Sequence, residues 1–124
     1  MALFGNKQEK VVQEAAAKAE VERLQALSAV ELAEALMPAF GPEGARSGAP
    51  LNNLQVASWL MSSFPRSTKY LTGLREPILE GLQDLVNAGL IVGTFRAGQA
   101  SMLKATRLGE EALAQGDIPK YLES

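Results

Sequence analysis

The apolar residues of this chain change period at one point, and that change limits the folds open to it. Ile78, Leu79, Leu82, Leu85 and Val86 recur at helical spacing. Beyond Gly89 the spacing is two. Ile91, Gly93 and Phe95 alternate with Val92, Thr94 and Arg96, and Ser101, Leu103 and Ala105 alternate with Met102, Lys104 and Thr106. Gly89 suits the left-handed residue that ends a helix, with Leu90 folding back on Leu85. Ala97 to Ala100 then makes the turn between two strands. The predicted class is mainly α with a small β-hairpin, an α+β chain.

The remaining elements follow from caps and breakers. Lys7 to Leu27 is Ala-rich, lacks Gly and Pro, and pairs Glu14 with Lys18 and Lys18 with Glu22 at helical spacing. Residues 1–27 therefore read as a helical arm with few side chains to bury and no sustained heptad, either frayed or packed on a second copy of the chain. Ser28 and Glu31 have capping-box spacing, so a second helix starts there and ends near residue 39, after Pro38. Gly41 to Pro50 reads as a loop. Asn52 or Asn53 caps a third helix that Pro65 stops, and Pro77 opens a fourth helix that continues to Ala88. Thr106 caps a last helix, Gly116 ends it, and 117–124 is left as a tail. The main domain spans 28–116.

Composition removes several function classes. The 124 residues are 47% hydrophobic and 21% charged, which describes one globular domain rather than a disordered chain. There is no Cys and no His, so disulfides, thiolate metal sites and the commonest general base are all absent. Ser62 and Ser63 have no base-and-orienter partners in the pattern, and no phosphate-cradling Gly loop is present. No catalytic residue, metal or cofactor is expected, and the chain reads as a non-enzyme. Without an apolar stretch of signal or membrane-spanning length, the expected compartment is the cytoplasm, with no membrane partner.

Charge is uneven. Residues 1–50 carry five Lys/Arg and seven Asp/Glu, 51–107 carry six and three, and 108–124 carry one and four. A basic middle lies between acidic ends. The net charge of −2 decides little about a polyanion partner, because screening limits distant acids to about 8 Å at physiological salt.

Two strings bear on the fold family. One is Ile78, Leu82, Leu85, Gly89, Leu90 and Ile91; the other is Lys104-Ala105-Thr106-Arg107-Leu108-Gly109-Glu110 leading into Ala112-Leu113. Their order and spacing resemble the winged helix-turn-helix family, as in MarR-type and PadR-type regulators, over about residues 28–115 and with an additional N-terminal helix. The resemblance implies that the helix from Pro77 to Ala88 enters the DNA major groove, that Asn53 to Phe64 supports it, and that the wing around Ala97 to Ala100 follows the phosphate backbone or the minor groove. The chain departs from that pattern in two places. Pro77 to Ala88 carries no Lys or Arg and presents Glu80 and Asp84, and the stretch from Phe64 to Pro77 exceeds a three- or four-residue turn.

The expected function is DNA binding, as a transcriptional regulator. Arg66, Lys69, Arg75 and Arg96 are the expected phosphate contacts, Gln83 and Asn87 the base readers, and Lys104 a further hairpin cation. The expected partner is double-stranded DNA, bound by a homodimer on paired half-sites; the sequence identifies no effector. The alternative is a winged-helix module for protein–protein contact without DNA binding, favoured by the acidic helix from Pro77 to Ala88 and the Ala-rich arm.

Overall fold

Capping chemistry sets most element boundaries. The computed structural model describes residues 2–42, 44–45 and 49–122, with side chains from Gln8 onward. Its helices are α1 (Ala2–Gln25), α2 (Ala29–Leu36), α3 (Asn53–Leu60), α4 (Arg75–Asn87), α5 (Arg107–Gln115) and α6 (Ile118–Leu122). One hairpin, β1 (Ile91–Arg96) with β2 (Gln99–Ala105), lies between α4 and α5.

At the start of α2, Ser28 Oγ accepts from the Glu31 amide at 3.1 Å and the Glu31 carboxylate accepts from the Ser28 amide at 3.0 Å. Asn52 and Gln55 repeat this box at α3, at 2.7 and 2.8 Å. Each box satisfies two helix-end donors that would otherwise lack partners. Helix α4 ends as its sequence requires. Gly89 has φ 79, its amide donates to Val86 O, and the Leu90 amide donates to Leu85 O, both at 2.9 Å. Thr106 then joins two elements: its hydroxyl donates to Gly89 O at 2.6 Å and accepts from the Gly109 amide at 3.0 Å, so the end of α4 is tied to the start of α5.

Several boundaries differ from expectation. Helix α2 stops at Leu36, and Met37–Phe40, with Pro38 in its first turn, tightens into a 3₁₀ segment. Helix α3 ends at Leu60 rather than Phe64, because Met61 leaves helical geometry at φ −98 and ψ 11 and the Phe64 amide turns back to Met61 O. The long stretch before α4 is filled by a second 3₁₀ segment, Thr68–Leu74. Helix α4 begins at Arg75, which makes Pro77 its third residue; a first-turn amide has no acceptor within its own helix, so Pro77 costs no hydrogen bond there. The expected tail holds α6 with Ile118 buried, and residues 123–124 lie outside the described residues. Of the expected loop from Gly41 to Pro50, Glu43 and residues 46–48 also lie outside them.

The hairpin departs from simple alternation. Val92 pairs with Lys104 but Thr94 pairs with Ser101, so β2 carries one extra residue at a bulge. Met102 sits there at φ 54 and faces solvent, and the core side of β2 becomes Ala100 and Leu103. Ser101, expected on the same face as Leu103, is exposed. Ahead of α3, Leu51 exchanges both backbone hydrogen bonds with Leu103, at 2.8 and 2.9 Å, which adds a one-residue bridge to the outer side of the hairpin.

The core lies between α2 and α4 and is closed by α3 and the hairpin. Leu32, Leu36, Leu82 and Leu85 are almost fully buried, as are Leu51, Leu90 and Leu103. Each such leucine contributes about 2 kcal/mol of apolar burial. Helices α2 and α4 approach closely because position 81 is Gly: a Cβ there would lie 2.9 Å from Leu36 Cδ1. Helix α1 joins this core through Ala17, Val21 and Leu24, which are buried, and through Gln25 Nε2, which donates to Gly73 O at 2.8 Å. An isolated arm would bury none of these. Among the described residues, no helix is long and apolar enough to cross a membrane.

Candidate nucleic-acid interface

The seven residues expected to meet nucleic acid lie on three elements: the segment before α4, the exposed side of α4, and the hairpin. Arg75, the first residue of α4, reaches the hairpin turn. Its Nε and Nη2 donate to Gly98 O at 3.1 and 2.9 Å. The turn itself is the two-residue Ala97-Gly98, with φ 52 and 73, the positive values that match the twist of a tight hairpin. Glycine at 98 serves two purposes, because a Cβ there would also lie 3.1 Å from Arg75 Nη2.

That contact closes one end of an open cleft of about 390 Å³ between α4 and the hairpin, lined by Leu79, Glu80, Gln83, Phe95, Arg96 and the 97–99 turn. Gln83 and Arg96 therefore face one space, with Arg75 at its edge. The Arg96 side chain makes no hydrogen bond or ion pair among the described residues, so its guanidinium is available to an anion. Glu80 is also in the lining and opposes that use. Gln83 Nε2 donates to Asn87 Oδ1 at 3.1 Å, which occupies both proposed base readers with each other. Asn87 also borders a second recess, with Val30, Asp84, Tyr121 and Leu122, at the far end of α4. Lys104 is not in the cleft. It pairs with Val92 at the base of the hairpin, and Val92 is four residue steps from Arg96 along β1, about 13 Å.

Arg66 and Lys69 form a separate group against α1. Arg66, at φ 64, donates from Nε to Gln13 Oε1 at 3.2 Å, and Lys69 Nζ lies 3.1 Å from Glu14 Oε1 and 5.3 Å from the Tyr70 ring centroid. The hydrogen bond from Lys69 holds the Glu14 carboxyl below the usual glutamate range despite partial desolvation, with Lys69, Lys10 and Arg66 adding their charges. The Lys69 ammonium is raised in turn, first by its bond to Glu14. Three cations thus favour the charged form of one carboxylate, with Lys69 in direct contact.

Gln13, Glu14 and Lys10 were not among the expected site residues. No local signal marks them, because the contact between Gln13 and Arg66 spans 53 residues of chain. Gln99, in the cleft lining, was read only as part of a turn. Among the described residues, no group of three or more acidic side chains is placed to hold a metal ion.

Compared with family models, with curated proteins and with solved structures, the chain matches none. What can be said of its function therefore rests on its own geometry.

Proposed function

We propose that this protein is a winged-helix DNA-binding protein that acts as a transcriptional regulator. The supporting order is α2, the Leu51 bridge, α3, α4, β1, β2 and α5, in which the bridge supplies the short third strand of such a domain. The observation that carries the proposal is the double hydrogen bond from Arg75 to Gly98. It fixes the hairpin tip against the first turn of α4, so that a helix face and a wing address one duplex together. Arg66, Lys69, Arg75 and Arg96 supply phosphate contacts, and Gln83 and Asn87 exchange their mutual hydrogen bond for base edges. The duplex is bound by two copies of the chain, one on each half-site.

A second function has its own support. Glu76, Glu80 and Asp84 all lie on α4, and carboxylates beside phosphates weaken binding, so a protein partner with basic side chains suits that helix. Salt titration separates the two. With mixed-sequence duplex DNA, affinity falls steeply as salt rises, and the double substitution Arg66→Glu, Arg96→Glu abolishes binding. DNA binding that survives both substitutions removes the proposed surface, and no binding to DNA at moderate salt removes the function in favour of the protein-contact module.

A further inference from the structure

Helix α1 lies along the Thr68–Leu74 segment and is anchored there at two places. Toward its C-terminal end, Ala17, Val21 and Leu24 are buried and Gln25 donates to Gly73 O. One turn earlier, two consecutive residues engage two cations: Gln13 holds Arg66 and Glu14 holds Lys69. The first contact is mainly apolar and buried. The second is open to solvent, with the Lys69 and Glu14 side chains 56% and 27% exposed. An ion pair that exposed is weak and exchangeable, and a phosphate oxygen offers the same chemistry to Lys69 as the carboxylate does.

We propose that α1 is a built-in competitor for the phosphate-binding flank, with Glu14 and Gln13 occupying Lys69 and Arg66 in the free protein and releasing them to duplex DNA. The inference rests on the DNA-binding function proposed above and assigns α1 a regulatory part in it. Release needs only rotation of two side chains, because Ala17, Val21 and Leu24 keep the helix in place. Anything that turns α1 about its axis or withdraws its first half frees both cations at once. The same helix that completes the core thereby sets how much positive surface the protein displays.

The experiment is a salt titration of mixed-sequence duplex DNA binding by the full chain and five variants. Glu14→Gln keeps the side-chain shape and removes the charge. It raises affinity by about two- to fivefold, the range of an exposed ion pair, and steepens the slope of log K against log salt by less than the about 0.9 of one phosphate contact, because the parent makes the same contact once Glu14 has released Lys69. Glu22→Gln removes a charge elsewhere on the exposed surface of α1 and changes affinity less than Glu14→Gln does. In a Lys69→Ala background the gain from Glu14→Gln disappears, because the freed ammonium is the source of it. Gln13→Ala raises affinity in the same direction through Arg66. Circular dichroism checks that all five variants keep the helical content of the parent.

Equal affinity and slope for the parent and Glu14→Gln, with both binding DNA, overturns the competitor role and leaves DNA binding standing. So does a gain that Glu22→Gln matches or that persists without Lys69. Absence of binding by both proteins overturns the DNA-binding function itself, and the inference with it. Binding by Glu14→Gln where the parent has none supports both.

Discussion

The guanidinium of Arg75 and the carbonyl of Gly98, 23 residues apart in sequence, meet through two hydrogen bonds at 3.1 and 2.9 Å. The bond joins the start of α4 to the end of the hairpin. Between these two points the chain runs through α4, the Gly89 stop and β1, each with its own internal hydrogen bonds. Arg75 is the side chain that makes their relative placement specific at the tip.

Arg75→Ala leaves the hairpin tip without this tether. Amide exchange at Gly98 and Gln99 quickens in the variant, while exchange at Leu82 and Leu85, deep in α4, stays as in the parent. Hydrogen exchange followed by NMR reads both. Arg75→Lys restores part of the effect at most, since an ammonium cannot place two donors in the plane of a guanidinium fork.

Gly81→Val tests the close approach of α2 and α4. The added side chain meets Leu36 Cδ1 and the Ala33 backbone, the latter at 3.4 Å from a Cβ, and one helix must shift. Overpacking of this kind costs about 1–3 kcal/mol, which a urea titration reads as a lower midpoint with an unchanged slope. Leu82→Ala in the same layer leaves a cavity instead and costs about 2–5 kcal/mol.

Acid weakens the fold through its carboxylates. Glu31 is held below the ordinary value of 4.5 by the Ser28 backbone amide and by the Ser28 side chain, and Glu14 by Lys69. A carboxyl whose folded pKa is lowered binds its proton more readily when unfolded. Its stabilisation is complete well above 4.5 and is lost as pH falls through the lowered folded value. Urea midpoints measured from pH 7 down to pH 3 therefore decline below about pH 4.5, and Glu31→Gln and Glu14→Gln each flatten the decline.

Much of the fold was legible because it depends on near neighbours. Ser28 with Glu31, Asn52 with Gln55, Gly89 with Leu90, and Thr106 with Gly109 each act within a few residues, and each stands where its pattern predicts. The hairpin was visible from its period, but its bulge was not. The extra residue at Met102 adjoins Leu103, which bonds to Leu51 across the sheet, a partner about 50 residues away that alternation cannot register. Helix α3 was overextended for a related reason. Pro65 marks where a helix must have ended by, whereas Met61 ends it earlier, where its side chain enters the core.

The candidate site divides in the same way. Residue types alone pointed to a cationic stretch before α4 and to cations on the hairpin, because Arg66, Lys69, Arg75, Arg96 and Lys104 are a matter of composition along the chain. Their grouping is not. Gln83 and Arg96 line one cleft, Arg75 is bonded to Gly98 in its wall, Lys104 stands apart at the hairpin base, and Arg66 and Lys69 are held by α1.

The amino-acid sequence by itself determined where the capped helices begin, where α4 stops, and that a hairpin follows, since those outcomes rest on interactions a few residues in range. Tertiary structure decided which cations stay open to solvent and which are already engaged. Charge on a surface depends on what folds against it, and Glu14 meets Lys69 on the helix that Ala17, Val21 and Leu24 dock into the core.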